Sequence, residues 1–320
     1  MTTETMPRPS ALYPPIQPHA SGMLDVGDGH QIYWECDGNP EGRPALFLHG
    51  GPGGGCNTDY RRLFDPERYR AVLFDQRGCG KSRPMSETAG NDTWRLVADI
   101  EKLRLHLGVD KFVVVGGSWG AALALLYAQA HPHAVRALVL RGVFTARRRE
   151  IDWLYRRGAS ELFPERWEAF ASFIPESERG DLVRAYHKRL FCGDRDVELE
   201  AARSWCTWES ALMSVAKRSG DFSAGGGEHT RALARIEAHY FVNDTFLAEG
   251  HILANMDKVA GIPGIIVQGR FDVVTPPVTA WEVHKRWPGS RLDIAHDAGH
   301  ATSEPGIARK LVEATDFFAL

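Results

Sequence analysis

Phe112-Val-Val-Val-Gly-Gly-Ser-Trp-Gly-Ala-Ala-Leu-Ala-Leu-Leu-Tyr-Ala-Gln-Ala130 carries two apolar runs with a glycine-flanked serine between them. The first run, Phe112 to Val115, is short and β-branched, the pattern of a strand buried on both faces. The second, Ala121 to Ala130, is dominated by alanine and leucine, both strong helix formers. Between them, Gly116-Gly117-Ser118-Trp119-Gly120 has the form Gly-x-Ser-x-Gly. At a strand-to-helix junction this is a nucleophile elbow, a strained turn that exposes the serine Oγ, with glycines where backbones approach closely. The stretch carries no charge and approaches the ~20 apolar residues of a membrane span, but its internal Gly-Gly-Ser would break such a helix. It reads as buried strand, turn and helix, and the chain as a serine hydrolase.

The 320 residues are 43% hydrophobic and 25% charged, an ordinary globular balance that allows one large domain with a smaller insertion. A net charge of −3 gives no electrostatic case for nucleic acid or an anionic membrane surface. Met1 to Ala20 holds prolines and polar residues without an apolar core, so no signal peptide is expected. Five cysteines, odd in number and widely spaced, form neither a disulfide framework nor a zinc pattern and fit a reducing cytoplasm. Sequence alone leaves a homo-oligomer open.

Outward from the elbow, strand-like and helix-like segments alternate. Gln31 to Cys36, Ala45 to Leu48, Ala71 to Phe74 and Ala137 to Leu140 read as strands. Thr93 to Leu107 reads as a helix with Trp94, Val97, Ile100, Leu103 and Leu107 on one face. Alternating elements imply a mostly parallel sheet with helices on both faces. From Arg147 to about Leu253 the chain turns to charge, tryptophan and helical spacing, with a flexible run at Gly225-Gly226-Gly227. Strands return at Ile262 to Gln268 and Arg291 to Ala295, and Ile307 to Phe318 reads as a closing helix. The expected division is an α/β core over 1–145 and 255–320 with an all-helical cap inserted at 146–254.

A serine nucleophile needs a general base, and the base needs an orienting carboxylate. In elbow-type hydrolases these follow in the order serine, acid, histidine. Asp272 stands just past the strand Ile265 to Gln268, and His300 lies in the loop after the next strand. Active sites of open α/β sheets gather at the carboxyl ends of strands, so Ser118, Asp272 and His300 are expected to converge. His296 and Asp297 compete for the last two roles. Asp75 also follows a strand, but it precedes the serine, and loop anchoring through Arg77 or backbone amides suits it better. The glycine-rich loop His49-Gly50-Gly51-Pro52-Gly53-Gly54-Gly55 supplies an oxyanion hole from the Gly51 N–H, with the main-chain N–H of Trp119 as second donor. That loop lacks the Lys-Ser/Thr ending of a phosphate loop, and no His-Glu-x-x-His pattern points to a metal.

With these residues assembled, the chain resembles the proline iminopeptidases (prolyl aminopeptidases). The resemblance rests on His49 to Gly55, Asp75-Gln-Arg-Gly78 with Gly80-Lys81-Ser82, and Gly116 to Gly120. It extends to Leu12-Tyr13-Pro14, Ser21-Gly22, Asp25 to His30, Ile32-Tyr33-Trp34, Trp208-Glu209 and Arg235 to Phe241, and so spans nearly the whole chain. It implies an α/β-hydrolase core with a helical cap, no cofactor, and peptide substrates with a free N-terminal proline. It also implies that Glu209 and Glu237 bind the substrate ammonium, a reading that suits a charge tolerated inside only when paired. Phe144, Phe241 and Tyr240 are then expected against the proline ring, with Arg141 as a polar contact nearby and Trp153 and Tyr155 as further aromatic neighbours. Ala121 and Leu154 depart from the residues common in the family. The alternative within hydrolases is an esterase or carbon–carbon bond hydrolase with another acyl specificity.

Overall fold

The computed structural model describes residues 11–215 and 227–320. Gly225 and Gly226 of the glycine run therefore lie outside the described residues, as does the start of the N-terminal segment.

Eight strands form one sheet: β1 Ala20–Gly27, β2 His30–Gly38, β3 Arg43–Leu48, β4 Tyr69–Phe74, β5 Phe112–Ser118, β6 Val135–Val143, β7 Gly264–Gly269 and β8 Ser290–Ala295. Their order is β1-β2-β4-β3-β5-β6-β7-β8. The β1–β2 and β2–β4 pairs are antiparallel, and β4 onward is parallel. β1 is an addition to the expected strands. Its Ala20-Ser-Gly-Met-Leu-Asp-Val-Gly27 is largely exposed at the sheet edge, so it lacks the apolar run that marks the central strands.

The central strands show why the apolar runs are continuous. Alternate side chains point to opposite faces. Leu46, Leu48, Val114, Leu138 and Leu140 enter one core layer, while Ala45, Phe47, Val113, Val115 and Val139 enter the other. Over the first layer lie α1 Thr93–His106 and α2 Trp119–Ala130. Asp92 caps α1 by accepting from Arg95 N. Its buried face is Leu96, Val97, Ile100 and Leu103, whereas Trp94, expected on that face, is 43% exposed and meets His251 edge-on. Trp94 sits in the first turn, where two neighbouring angular positions on the helix, 93 and 96, already reach the core.

Between β6 and β7 come α3 Arg148–Tyr155, α4 Ala159–Leu162, α5 Pro164–Ser172, α6 Leu182–Leu190, α7 Arg195–Leu212, α8 Glu228–Val242 and α9 His251–Ala254. No strand occurs among the described residues of this insertion. Its tryptophans make its core: Trp205 and Trp208 are buried against Phe170, Tyr155 and Phe241. Glu198 of α7 ties α7 to α8 through Arg231 at 2.6 Å and Arg235 at 3.3 Å. α10 Pro277–Arg286 packs on the first layer, and α11 Pro305–Phe318 closes the second through Ile307, Leu311 and Ala314. None of the described helices is long and apolar enough to cross a membrane.

Candidate active site

The carboxyl ends of β3, β5, β6, β7 and β8 open toward the insertion, and the candidate residues stand there. Ser118 ends β5 at φ 59°, ψ −123°, a positive-φ conformation uncommon for a residue with a side chain. The turn forces its neighbours together. A Cβ on Gly116 would lie 2.2 Å from Gly120 O, and one on Gly120 would lie 2.0 Å from Leu48 O. Only hydrogen fits at either place, which is the physical content of the Gly-x-Ser-x-Gly spacing. The β5–β6 register slips between Gly117, opposite Arg141, and Ser118, opposite Val143, so the ladder is irregular at the serine. Trp119 begins α2, so its N–H is among those with no intrahelical acceptor. Its indole is buried, donating to Gln76 Oε1 at 3.0 Å.

Asp272 and His300 come together as the sequence order predicts, with His300 Nδ1 2.8 Å from Asp272 Oδ2. Asp272 is further held by Thr275 N (2.8 Å), Thr275 Oγ1 (3.0 Å) and Gln268 Nε2 (3.1 Å). Neither Gln268 nor Thr275 was singled out from sequence. Gln268 had a signal, a lone amide ending the buried run Ile265 to Val267. Gly142, at φ 52°, is required because a Cβ there would sit 2.8 Å from the His300 ring. Burial is the main force pulling the His300 pKa below its ordinary value, with Asp272 opposing and Arg141 assisting. His296 is exposed, while Asp297 lies on the far side of the loop, near Gly306.

A third residue that sequence reasoning missed fastens this loop to the insertion. Buried Glu304 accepts from Gly299 N on one side and from Ser214 Oγ and Val215 N on the other, each at 2.7 Å. His300 N and Ala301 N also donate to Met213 O, just past α7. The loop of the histidine is thus tied to the end of the helix that carries Glu209. These contacts join residues about 90 positions apart, and no local pattern announces them.

The glycine-rich loop folds beneath Ser118. Gly50 lies against the serine, where a Cβ would be 3.3 Å from Ser118 Cβ, and Gly51 adopts φ 113°. His49 is buried, receiving Gln76 N at 3.0 Å, and burial depresses its pKa. Asp75 anchors this region through backbone amides, accepting from Cys56 N and Lys81 N at 2.7 Å each. Arg77 is not its partner: it pairs with Asp99 at 2.7 Å and Asp28 at 3.0 Å.

A cavity of about 210 Å³ joins these loops to the insertion. Ser118, His300, Gly51, Arg141, Glu209, Glu237, Phe144 and Phe241 all line it, with Leu154, Leu233 and Val274 among its apolar walls. The rings of Phe144 and Phe241 meet edge-on at 6.4 Å. Tyr240 does not reach the cavity: it is fully buried, donates to Asn91 Oδ1 at 2.9 Å and packs on Trp119. Adjacent residues on α8 diverge by about 100°, so Glu237 and Phe241 (i, i+4) share a face that Tyr240 leaves. Trp153 is also outside the lining and donates to Val273 O at 2.7 Å.

Glu209 and Glu237 face each other from α7 and α8. Glu237 is buried and accepts from Trp205 Nε1 at 2.8 Å, while Glu209 is half-buried on the cavity wall and accepts the Tyr155 hydroxyl. The two carboxyls lie close enough for each to act on the other's titration. Burial pushes both pKa values up, and for Glu237 the charge of Glu209 adds to the rise. Two like charges in one enclosed site hold a proton between them or await a cation.

A sequence profile of the alpha/beta hydrolase fold matches residues 44–306. A proline iminopeptidase of Arabidopsis thaliana is 50% identical over 322 aligned positions, covering 98% of this chain and 83% of its own. Another from Xanthomonas citri is 50% identical over 311, covering 96% and 99%, and one from Neisseria gonorrhoeae is 46% identical over 307, covering 95% and 98%. Among solved structures, an esterase from Exiguobacterium antarcticum superposes with TM-score 0.59 at 21% identity, covering 93% of this chain and 98% of its own. A bromoperoxidase from Bacillus anthracis gives 0.58 at 18%, covering 93% and 99%. Those two share the fold alone, whereas the full-length relatives share the sequence throughout: the chain belongs to the proline iminopeptidase family of the alpha/beta hydrolase fold.

Proposed function

We propose that this protein is a prolyl aminopeptidase that releases N-terminal proline from peptides through Ser118, His300 and Asp272. The observation that carries the proposal is the carboxyl pair Glu209–Glu237, enclosed in the same cavity as Ser118 and His300. A prolyl ammonium is the cation this pair lacks, and its binding there offsets the desolvation of two carboxylates. Phe144 and Phe241 then border the ring, and the first carbonyl falls at Ser118. An esterase of the same fold has no use for two acids enclosed in one cavity, whose repulsion costs stability without a cationic substrate.

Chemistry follows from the proton positions. Asp272 keeps the His300 proton on Nδ1, leaving the Nε2 lone pair to take the Ser118 proton as Oγ attacks the prolyl carbonyl. The N–H groups of Gly51 and Trp119 receive the oxyanion, each such donor being worth ~10²–10³ in rate. His300 returns the proton to the leaving amine, and water then releases proline from the acyl-enzyme by the same steps. Cap and core together form the working unit, with 146–254 as the cap.

Comparing prolyl-arylamide with its N-acetylated form tests the assignment. Hydrolysis of the free amine alone is expected. Equal hydrolysis of the blocked compound would remove the aminopeptidase reading and return the protein to the esterases.

A further inference from the structure

Arg141 has no ion pair among the described residues. It lies at the end of β6, buried, with its guanidinium laid over Gly117, where a Cβ would meet Nη2 at 2.4 Å. Its Nε has no hydrogen-bond partner, and one terminal nitrogen, Nη1, donates to His300 Nε2 at 2.8 Å and to His300 O at 3.0 Å. The imidazole is neutral on the Nε2 side, since Nδ1–H is given to Asp272 and a guanidinium only donates. A neutral imidazole has one lone pair, so Ser118 and Arg141 cannot both hold it.

We propose that Arg141 is a removable cap on the base: at rest its guanidinium occupies the His300 lone pair that Ser118 must use, and substrate draws it off. This rests on the serine-triad reading. Once His300 has taken the serine proton, a guanidinium at hydrogen-bond distance from an imidazolium is repulsive, so the cap has to leave before or during attack. Arg141 lines the substrate cavity, so an acceptor oxygen can reach it without unfolding anything. That oxygen is a carbonyl or carboxylate on the leaving side of the peptide, which an unpaired buried guanidinium binds strongly. Arg141 is in this sense a positioning residue that keeps the serine quiet until a peptide fills the site.

The other groups acting on His300 are Asp272 and Glu304, which favour its protonated form; Tyr60 and Asp272 act on Arg141. Among the described residues, removing the guanidinium therefore leaves two acids and no cation beside the base.

The test is the labelling rate of the full chain by a small fluorophosphonate, followed from acid to alkaline pH. Arg141→Met is expected to label ~3–10-fold faster on the plateau, with its acid limb moved up by about half a pH unit or more. Its kcat/KM on prolyl-glycine is expected to fall relative to prolyl-arylamide, which lacks the carboxylate. Because Met leaves His300 O without a donor, Arg141→Gln, which keeps an N–H, serves as second variant and must move both quantities in the same direction. Slower labelling with an unmoved limb in the folded variants makes Arg141 a packing residue and overturns the cap. Absence of labelling in the wild type is a separate failure, that of the triad itself.

Discussion

The two halves of the cavity wall treat charge in opposite ways. On the core side, Asp272 sits among Thr275, Gln268 and His300, each within about 3 Å, and its charge is met before any substrate arrives. On the insertion side, Glu209 and Glu237 have two neutral donors and each other. The core meets the charge of Asp272 with its own donors, before anything is bound. The insertion holds charge in deficit, at a cost to stability that only a cation removes. On the proposed function, reactivity and selectivity are kept on separate elements that share one cavity.

Substitutions on the two sides should therefore separate. The largest effect is expected from Ser118→Ala, a loss of ~10⁴–10⁶ in kcat with an unchanged thermal transition, read from prolyl-arylamide turnover and calorimetry. Substantial residual turnover would place the nucleophile elsewhere. Glu237→Gln comes next, with ~10²-fold lower kcat/KM on prolyl-arylamide while fluorophosphonate labelling stays within ~3-fold of wild type. Equal losses in both assays would dissolve the contrast between the two sides.

Acid should reproduce the same split in the native protein. Both glutamates have raised pKa values, so protons compete with the substrate ammonium at a pH where ordinary carboxylates are already ionised. KM for prolyl-arylamide is expected to rise by up to ~10-fold per pH unit below the pKa of the pair, whereas the labelling rate, governed by His300, follows a limb of its own. Coincident limbs would mean that one group controls both.

The smallest effect is on stability. A carboxyl whose folded pKa exceeds its unfolded value holds its proton in the native state only, so stability is highest below the unfolded pKa and is lost as pH rises through the folded one. Glu237→Gln should then melt ~2–4 °C above wild type at pH 8, and the gap should close below about pH 4.5, on differential scanning calorimetry. A variant that melts lower at pH 8 would show that the carboxylate is not a liability.

Much of this was visible in the chain before folding. Buried parallel strands must be apolar on both faces, so β3, β5 and β7 stand out, and the elbow glycines are legible by their spacing, although the contact that requires Gly120 is with Leu48 O on β3. The edge strand β1 was hidden because an exposed strand needs no apolar run. Trp94 misled because aromaticity says nothing about which side of a helix meets the core. Tyr240 misled because it adjoins Phe241 in sequence while pointing away from it in space.

What the sequence determined by itself is the order of elements, the elbow and the identity of the groups able to do chemistry, since these depend on residue type and short-range spacing. Tertiary structure alone decided which groups are in contact: Glu304 linking the histidine loop to α7, Glu209 against Glu237, and Arg141 on His300 Nε2. Those contacts join residues far apart in the chain. Their energies, and the pKa shifts that follow, arise from burial and proximity that exist only once the sheet and the insertion close on one another.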